Sequence, residues 1–347
     1  MTLAGVRVAR RVQHRHDMRV SLRPLHEQVI VITGASSGIG LCTARMAAEQ
    51  GARIVLGARS ADVLDRLVEE ITARGGEALA VSVDVADEDA VERLADRALS
   101  RFGRIDSWIN NAGVAIFGEL ERTPMDDHRR LFETNYWGVV HGSLVALRHL
   151  SGGGAIINVG SVLGDRAIPL QGAYCASKHA VKGFTEALRM ELEHAGAPIS
   201  VTLVKPSAIA TPYAEHARSF TDHEPRLPPP HYAPELVART ILRATTEPVR
   251  DVFVGGSARA LSALGTMAPR LADRLFEGTL FRLQQTDVPA NGRRDNLFLP
   301  TEDPRERGQE EHVFERSVSD RAAEHPVRTL LLGAALVAGV ALLVRGR

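Results

Sequence analysis

The chain has little cysteine and no excess of charge of either sign. Its two cysteines, Cys42 and Cys175, form no CxxC pair, which argues against a disulfide framework or a zinc site and predicts a reducing compartment. The 42 lysines and arginines balance 42 aspartates and glutamates, so the composition does not indicate a nucleic-acid partner. His141, His179 and His194 show no metal-ligand spacing beside carboxylates, and we expect no metal.

The N-terminal arm, residues 1–24, lacks the continuous apolar run of a secretory signal. Five arginines between positions 7 and 19 make it basic. We interpret it as a disordered arm, or as the result of a start codon placed ahead of Met18. A transit peptide and a contact with an anionic surface are the alternatives.

The C-terminal end changes character abruptly. Residues 284–328 are polar and rich in helix breakers, which predicts a linker. Residues 329–344 then carry no charge, and sixteen residues rise about 24 Å as a helix against a ~30 Å hydrocarbon core. We therefore predict a hydrophobic helix that is a candidate membrane anchor, with a helix docked on protein as the alternative. In the absence of a signal sequence, a cytoplasmic catalytic domain is expected.

The body, residues 25–283, alternates β-branched runs with amphipathic segments. Strands are predicted at 28–34, 52–59, 77–85, 105–113, 154–161, 199–207 and 249–256. Strands that alternate with helices predict an α/β fold, a Rossmann-like doubly wound parallel sheet of about seven strands flanked by helices. Residues 262–276 are predicted to form an additional amphipathic helix that covers the site or lies on a membrane surface.

A glycine-rich stretch, TGASSGIG at 33–40, follows the first strand. Glycines at a strand-to-helix turn let backbone N–H groups approach a pyrophosphate. The candidate cofactor-binding residues in this stretch are Gly34, Ser36, Ser37, Gly38, Ile39 and Gly40.

The end of the second strand bears on cofactor choice. Ala58 lies where an acidic residue would bind a ribose diol, and Arg59 follows it. A guanidinium suits a 2′-phosphate, so NADP(H) is preferred and NAD(H) is not excluded. A solvated surface arginine is the alternative interpretation of Arg59.

Tyr174 and Lys178 occur in YCASK, four positions apart, so both side chains leave one face of a helix. A nearby ammonium favours the phenolate and lowers the tyrosine pKa. Tyr174 can then exchange a proton with a substrate oxygen, an effect typically worth ~10²–10⁴-fold in rate. Ser161, at the end of the fifth predicted strand, can hydrogen-bond the same oxygen.

Taken together, these motifs resemble the short-chain dehydrogenases/reductases, over about residues 25–255 and with a C-terminal extension. The resemblance implies that Lys178 also binds the nicotinamide ribose and that Asn135 holds a relay water. It further implies cofactor contacts from Asp84, Val85, Asn111, Ala112, Gly113, Pro206, Ile209 and Thr211. The family usually has Pro-Gly where this chain has Pro206-Ser207, so the loop geometry there is open. A homodimer or homotetramer is expected.

The sequence therefore predicts an NADP(H)-dependent oxidoreductase that interconverts a carbonyl and an alcohol. Its small-molecule substrate is expected to be lipophilic if residues 329–344 hold the enzyme at a membrane. The alternatives are a non-catalytic NADP(H)-binding sensor or scaffold and, less favoured, an epimerase or dehydratase of the extended branch of the same superfamily.

Overall fold

The computed structural model describes residues 20–316 except 151, 291 and 293. Its centre is a sheet in which every pair of neighbouring strands is parallel, with the order β7-β6-β5-β4-β1-β2-β3. The strands are β1 (Val29–Thr33), β2 (Arg53–Ala58), β3 (Glu77–Ser82), β4 (Ser107–Asn110), β5 (Gly154–Val159), β6 (Ile199–Pro206) and β7 (Asp251–Val254). The predicted Rossmann-like sheet of seven strands is thus confirmed.

Helices cover both faces of this sheet. They are α1 (Gly38–Glu49), α2 (Ala61–Ala73), α3 (Glu88–Phe102), α4 (Met125–Phe132), α5 (Gly138–His149), α6 (Gly172–Ala195), α7 (Tyr213–His216), α8 (Pro234–Thr246), α9 (Gly256–Met267) and α10 (Pro269–Leu283). Ile30 and Ile32 of β1 face α1, α2 and α8, whereas Val29 and Val31 face α3, α5 and α6. Side chains alternate along a strand, so a strand buried on both faces needs the continuous apolar run seen in VIVIT.

Two helical segments differ from their predicted form. The sequence predicts one long helix around 126–149, and in the structure a π-helical turn, Glu133–Trp137, which contains Asn135, interrupts it. The predicted helix over 262–276 is wrong in its bounds: α9 ends at Met267, and α10 starts at Pro269. A proline is well placed at the first position of a helix but not inside one, and this is the physical reason for two helices.

The described part of the predicted linker packs against the body instead of leaving it. Residues Gln285–Pro289 pair with His223–Pro225, and Val313–Phe314 pair with His231–Tyr232. Between these strands, residues 295–308, which we call the strap, cross the carboxyl-terminal edge of the sheet. The strap charges find partners on the body, as in the ion pairs Glu306–Arg45 at 2.8 Å and Arg307–Glu235 at 2.8 Å. A polar segment with no hydrophobic period can therefore dock when its charges are matched.

Most of the N-terminal arm and the hydrophobic segment 329–344 lie outside the described residues. Among the residues that are described, no helix is long and apolar enough to cross a membrane.

Candidate active site

The glycine loop and the end of β4 are locked together at the carboxyl edge of the sheet. Gly34 adopts a φ of +69°, a conformation that favours glycine. Asn111 donates from Nδ2 to the carbonyl oxygens of Thr33 and Gly34, each at 3.1 Å. A Cβ on Gly40 would lie 2.1 Å from the Gly34 carbonyl oxygen. The first turn of α1 can therefore approach the loop this closely only because residue 40 is glycine.

A cleft of about 980 Å³ opens above this loop. The predicted cofactor residues that line it are Gly34, Ser36, Ser37, Gly38, Ile39, Arg59, Asp84, Val85, Asn111, Ala112, Gly113 and Thr211. The cleft lies outside the carboxyl ends of parallel strands, where such folds bind nucleotides. Its glycine-lined floor and the guanidinium of Arg59 in its lining fit a pyridine dinucleotide.

A second cavity of about 1550 Å³ adjoins the first. Ile39, Asn111, Gly113, Thr211 and Tyr213 line both. The remaining predicted residues, apart from Gly40 and Asn135, line this second cavity: Ser161, Tyr174, Lys178, Pro206 and Ile209. The structure thus places the predicted catalytic hydroxyls in the second cavity and the glycine loop in the adjoining cleft.

The outer wall of the second cavity is apolar. Leu264 of α9 and a stripe of α10 face Leu163, Ile168 and Leu227 across it; the stripe consists of Phe276, Leu280 and Leu283. Polar side chains in its lining include Ser161 and Tyr174. A pocket with apolar walls and few convergent polar groups is typical of a small-molecule site.

Tyr174 is partly buried and lines the second cavity together with Ser161 and Tyr213. Burial is the largest effect on this phenol and raises its pKa to about 12, against a smaller lowering by the Ser161 hydroxyl. The spacing of Tyr174 and Lys178 predicted that the lysine ammonium lowers this pKa. The Lys178 Nζ instead lies 5.6 Å from the centre of the Tyr174 ring and donates to the Val159 carbonyl oxygen at 2.8 Å.

Lys178 is only 4% exposed. Burial lowers the pKa of its amine from 10.5 to about 8. An amine with this pKa exchanges its proton near neutral pH, whereas an ordinary lysine stays protonated. The helix spacing that the sequence indicated is correct, and the tertiary packing adds a titration shift that the spacing could not show.

Asn135 is fully buried in the π-helical turn. Its Oδ1 accepts from the Val114 N–H at 2.8 Å, and its Nδ2 donates to the Val114 carbonyl oxygen at 3.0 Å and to Ser177 Oγ at 3.2 Å. These bonds join the chain after Gly113 to α6. π-Helical turns are frequently found at functional sites, and this one lets Asn135 reach both elements.

The Pro206-Ser207 departure causes no backbone strain. Leu170 is the one non-glycine residue with a positive φ in the described part of the chain, so Ser207 needs no glycine-like conformation. The Ser207 N–H donates to the Val254 carbonyl oxygen at 2.9 Å, and its hydroxyl bonds to Ser257 at 2.6 Å. The loop after β6 is thereby tied to the start of α9.

Two site residues were not predicted from the sequence. Tyr213 packs edge-on against Tyr174 with 5.4 Å between ring centres, and its hydroxyl donates to Gln171 Oε1 at 2.9 Å. Arg130 of α4 forms an ion pair at 2.5 Å with Asp84, which lines the cleft. Neither residue belongs to a motif, and only the folded chain brings them to the site.

Comparison with known proteins identifies the family. The model for short chain dehydrogenase matches residues 28–222, which is more than half of the chain. The chain therefore belongs to this family and is an oxidoreductase.

Individual relatives agree with this assignment. The uncharacterized oxidoreductase YxnA of Bacillus subtilis is 44% identical over 333 residues, 93% of this chain and 92% of the relative. A short-chain dehydrogenase/reductase from Burkholderia phymatum, solved with NAD, is 29% identical with a TM-score of 0.64 and covers 76% of this chain and 98% of that one. An alcohol dehydrogenase from Thermococcus sibiricus, complexed with 5-hydroxy-NADP, is 27% identical with a TM-score of 0.58 and covers 65% and 95%.

Proposed function

We propose that this oxidoreductase interconverts a carbonyl and an alcohol by hydride transfer, with NADP(H) as its preferred cofactor. The observation that carries the proposal is the position of the Tyr174 hydroxyl. Tyr174 and Ser161 both line the second cavity, which shares lining residues with the glycine-lined cleft. A substrate oxygen placed there can meet two hydroxyl donors at once.

The roles of the residues follow from this arrangement. A nicotinamide ring bound in the cleft would supply or accept the hydride. Ser161 holds the substrate oxygen, and Tyr174 gives it a proton during reduction or removes one during oxidation. The buried Lys178 amine, with its pKa of about 8, favours the phenolate whenever it is protonated. Lys178 also binds the ribose, and Asn135 holds the water that connects Lys178 to solvent.

The preference for NADP(H) rests on the end of β2. Ala58 offers no carboxylate for a ribose diol, whereas the Arg59 guanidinium lines the cleft. No carboxylate of the described residues forms an ion pair with Arg59, so its charge remains available to a 2′-phosphate. NAD(H) is the alternative cofactor.

The apolar wall supports a lipophilic substrate, such as a steroid, a fatty acyl derivative or a polyprenoid. A cytoplasmic enzyme anchored by residues 329–344 would meet such compounds at the membrane. A homodimer or homotetramer through α5 and α6 is supported by exposed apolar side chains on and beside these helices, namely Trp137, Leu144 and Met190.

The test measures NADPH oxidation with a panel of lipophilic ketones. Tyr174→Phe should reduce kcat by ~10²–10⁴-fold, because it removes the proton donor. Tyr232→Phe is the matched control, since this tyrosine lies outside both cavities and should leave kcat nearly unchanged. Full activity of Tyr174→Phe would contradict the proposed mechanism. Tight NADPH binding without turnover would instead support the sensor or scaffold alternative.

A further inference from the structure

The strap forms part of the cofactor cleft. Asn296, Pro300 and Thr301 are among the residues that line the cleft. Thr301 contributes its carbonyl oxygen, which accepts from Ser60 Oγ at 2.9 Å. The strap is therefore one wall of the cleft.

Arg59, the residue expected to bind a 2′-phosphate, is held by the strap backbone. Its Nη1 donates to the carbonyl oxygens of Leu297 at 3.4 Å and Phe298 at 3.2 Å, and its Nη2 donates to that of Asn296 at 2.5 Å. Arg130 Nε also donates to the Leu297 carbonyl oxygen, at 3.0 Å. These bonds occupy three of the five N–H donors of Arg59, both on Nη1 and one on Nη2, and they bring no carboxylate to its positive charge.

The strap is anchored independently of Arg59. The Leu297 side chain is 0% exposed and packs with Val114, Ile116 and Leu131. Farther along, the Arg305 carbonyl oxygen accepts from the Gly38 N–H at 2.9 Å, and the Arg305 side chain forms an ion pair with Glu215 at 2.7 Å. The carbonyl oxygens that face Arg59 are therefore held in a defined position.

We propose that the strap sets the cofactor specificity of this enzyme, because its Asn296–Phe298 carbonyl oxygens compete with the 2′-phosphate of NADP(H) for the Arg59 guanidinium. The inference rests on the proposed dinucleotide function and deepens it. NAD(H) has no group that requires Arg59, so it binds with the strap closed. A 2′-phosphate that contacts the Nη1 end of Arg59 takes the place of the strap carbonyl oxygens there, and NADP(H) therefore loosens residues 295–301.

The coupling between strap and cofactor is reciprocal. A change that loosens the strap should favour NADP(H) over NAD(H), since Arg59 then no longer has to be released. This distinguishes competition from a simple clamp: loss of a clamp would weaken the binding of both dinucleotides equally.

The experiment uses the full chain and isothermal titration with NADP⁺ and NAD⁺. Leu297→Ala removes the buried anchor, and Leu299→Ala, two positions away and 73% exposed, is the matched control. Leu297→Ala should raise the ratio of the NAD⁺ Kd to the NADP⁺ Kd by about tenfold, the factor that corresponds to about 1.4 kcal/mol. Leu299→Ala should leave the ratio unchanged.

Hydrogen exchange on the wild-type protein provides a test that does not depend on the folding of a variant. Saturating NADP⁺ should increase amide exchange in residues 295–301 relative to saturating NAD⁺. Equal exchange with both cofactors, or an unchanged Kd ratio in a folded Leu297→Ala protein, would overturn the inference.

The outcomes also separate this inference from the proposed function. Binding of neither dinucleotide would overturn both. Binding of both, with turnover that depends on Tyr174 but with no response of the strap, would overturn only the role assigned to the strap.

Discussion

Replacement of Lys178 by methionine should abolish activity and, at neutral pH, stabilise the fold. The wild-type amine is 4% exposed, and burial lowers its pKa from 10.5 to about 8. Between these pH values the unfolded chain binds more protons than the folded one, so the stability that this group contributes rises with pH. Below pH 8 the buried amine lowers the free energy of unfolding by the full amount, which is about 3 kcal/mol at pH 7.

The pH dependence isolates this cost from other effects of the substitution. At pH 9.5 the same linkage leaves a cost of only about 1.4 kcal/mol. The variant also loses the Lys178–Val159 hydrogen bond. This loss changes the free energy of unfolding, but the change does not depend on whether the amine of the unfolded wild-type chain is protonated. The stability advantage of Lys178→Met over wild type should therefore shrink by about 2 kcal/mol between pH 7 and pH 9.5.

The assay is urea unfolding of the wild type and of the variant at both pH values. Lys182→Met serves as the control, one turn farther along α6. Its amine bonds to Asp165, and this hydrogen bond raises its pKa. The stability that it contributes is fully present below pH 10.5 and is lost only above it, so the Lys182→Met difference should be the same at pH 7 and pH 9.5. If the difference in unfolding free energy between Lys178→Met and wild type were also the same at pH 7 and pH 9.5, the argument that burial lowers the pKa of this lysine would be refuted.

The remaining predictions concern the cofactor cleft. Arg59→Gln should raise the KM for NADPH at least tenfold while changing that for NADH little, because a charge-assisted contact is worth about 1.5–3 kcal/mol; Arg53→Gln, at the other end of β2, should change neither. Gly40→Ala should abolish dinucleotide binding in titrations, since its Cβ would lie 2.1 Å from the Gly34 carbonyl oxygen. Gly183→Ala is the control, because a Cβ there meets nothing within 4 Å, and it should raise the thermal midpoint of unfolding slightly. Normal dinucleotide binding by Gly40→Ala would contradict the close packing of the glycine loop.

Much of the fold follows from local patterns. VIVIT in β1 is buried on both faces, and a strand of this kind has no amphipathic alternation to be confused with a surface strand. The spacing of Tyr174 and Lys178 required only that the segment be helical, and α6 is a helix across both. Short-range periodicity encodes such features because it depends on residues close together in the chain.

The docking of the strap could not be predicted from local sequence patterns. Residues 295–308 have no hydrophobic period, and the sequence indicated a linker there. Their docking depends on pairs such as Arg59 with the Asn296 carbonyl oxygen, which are 237 positions apart. A carbonyl oxygen is present in every residue, so no side-chain pattern marks the ones that will face a guanidinium.

By itself, the sequence determined the parallel sheet, the glycine loop and the identity of the residues that converge on the site. Only the tertiary structure decided which groups surround them: the burial that lowers the Lys178 pKa, the Tyr213 ring against Tyr174, and the strap across Arg59. The physical reason is that secondary structure arises from neighbours in the chain, whereas desolvation and hydrogen bonds between distant segments exist only after the chain has closed on itself.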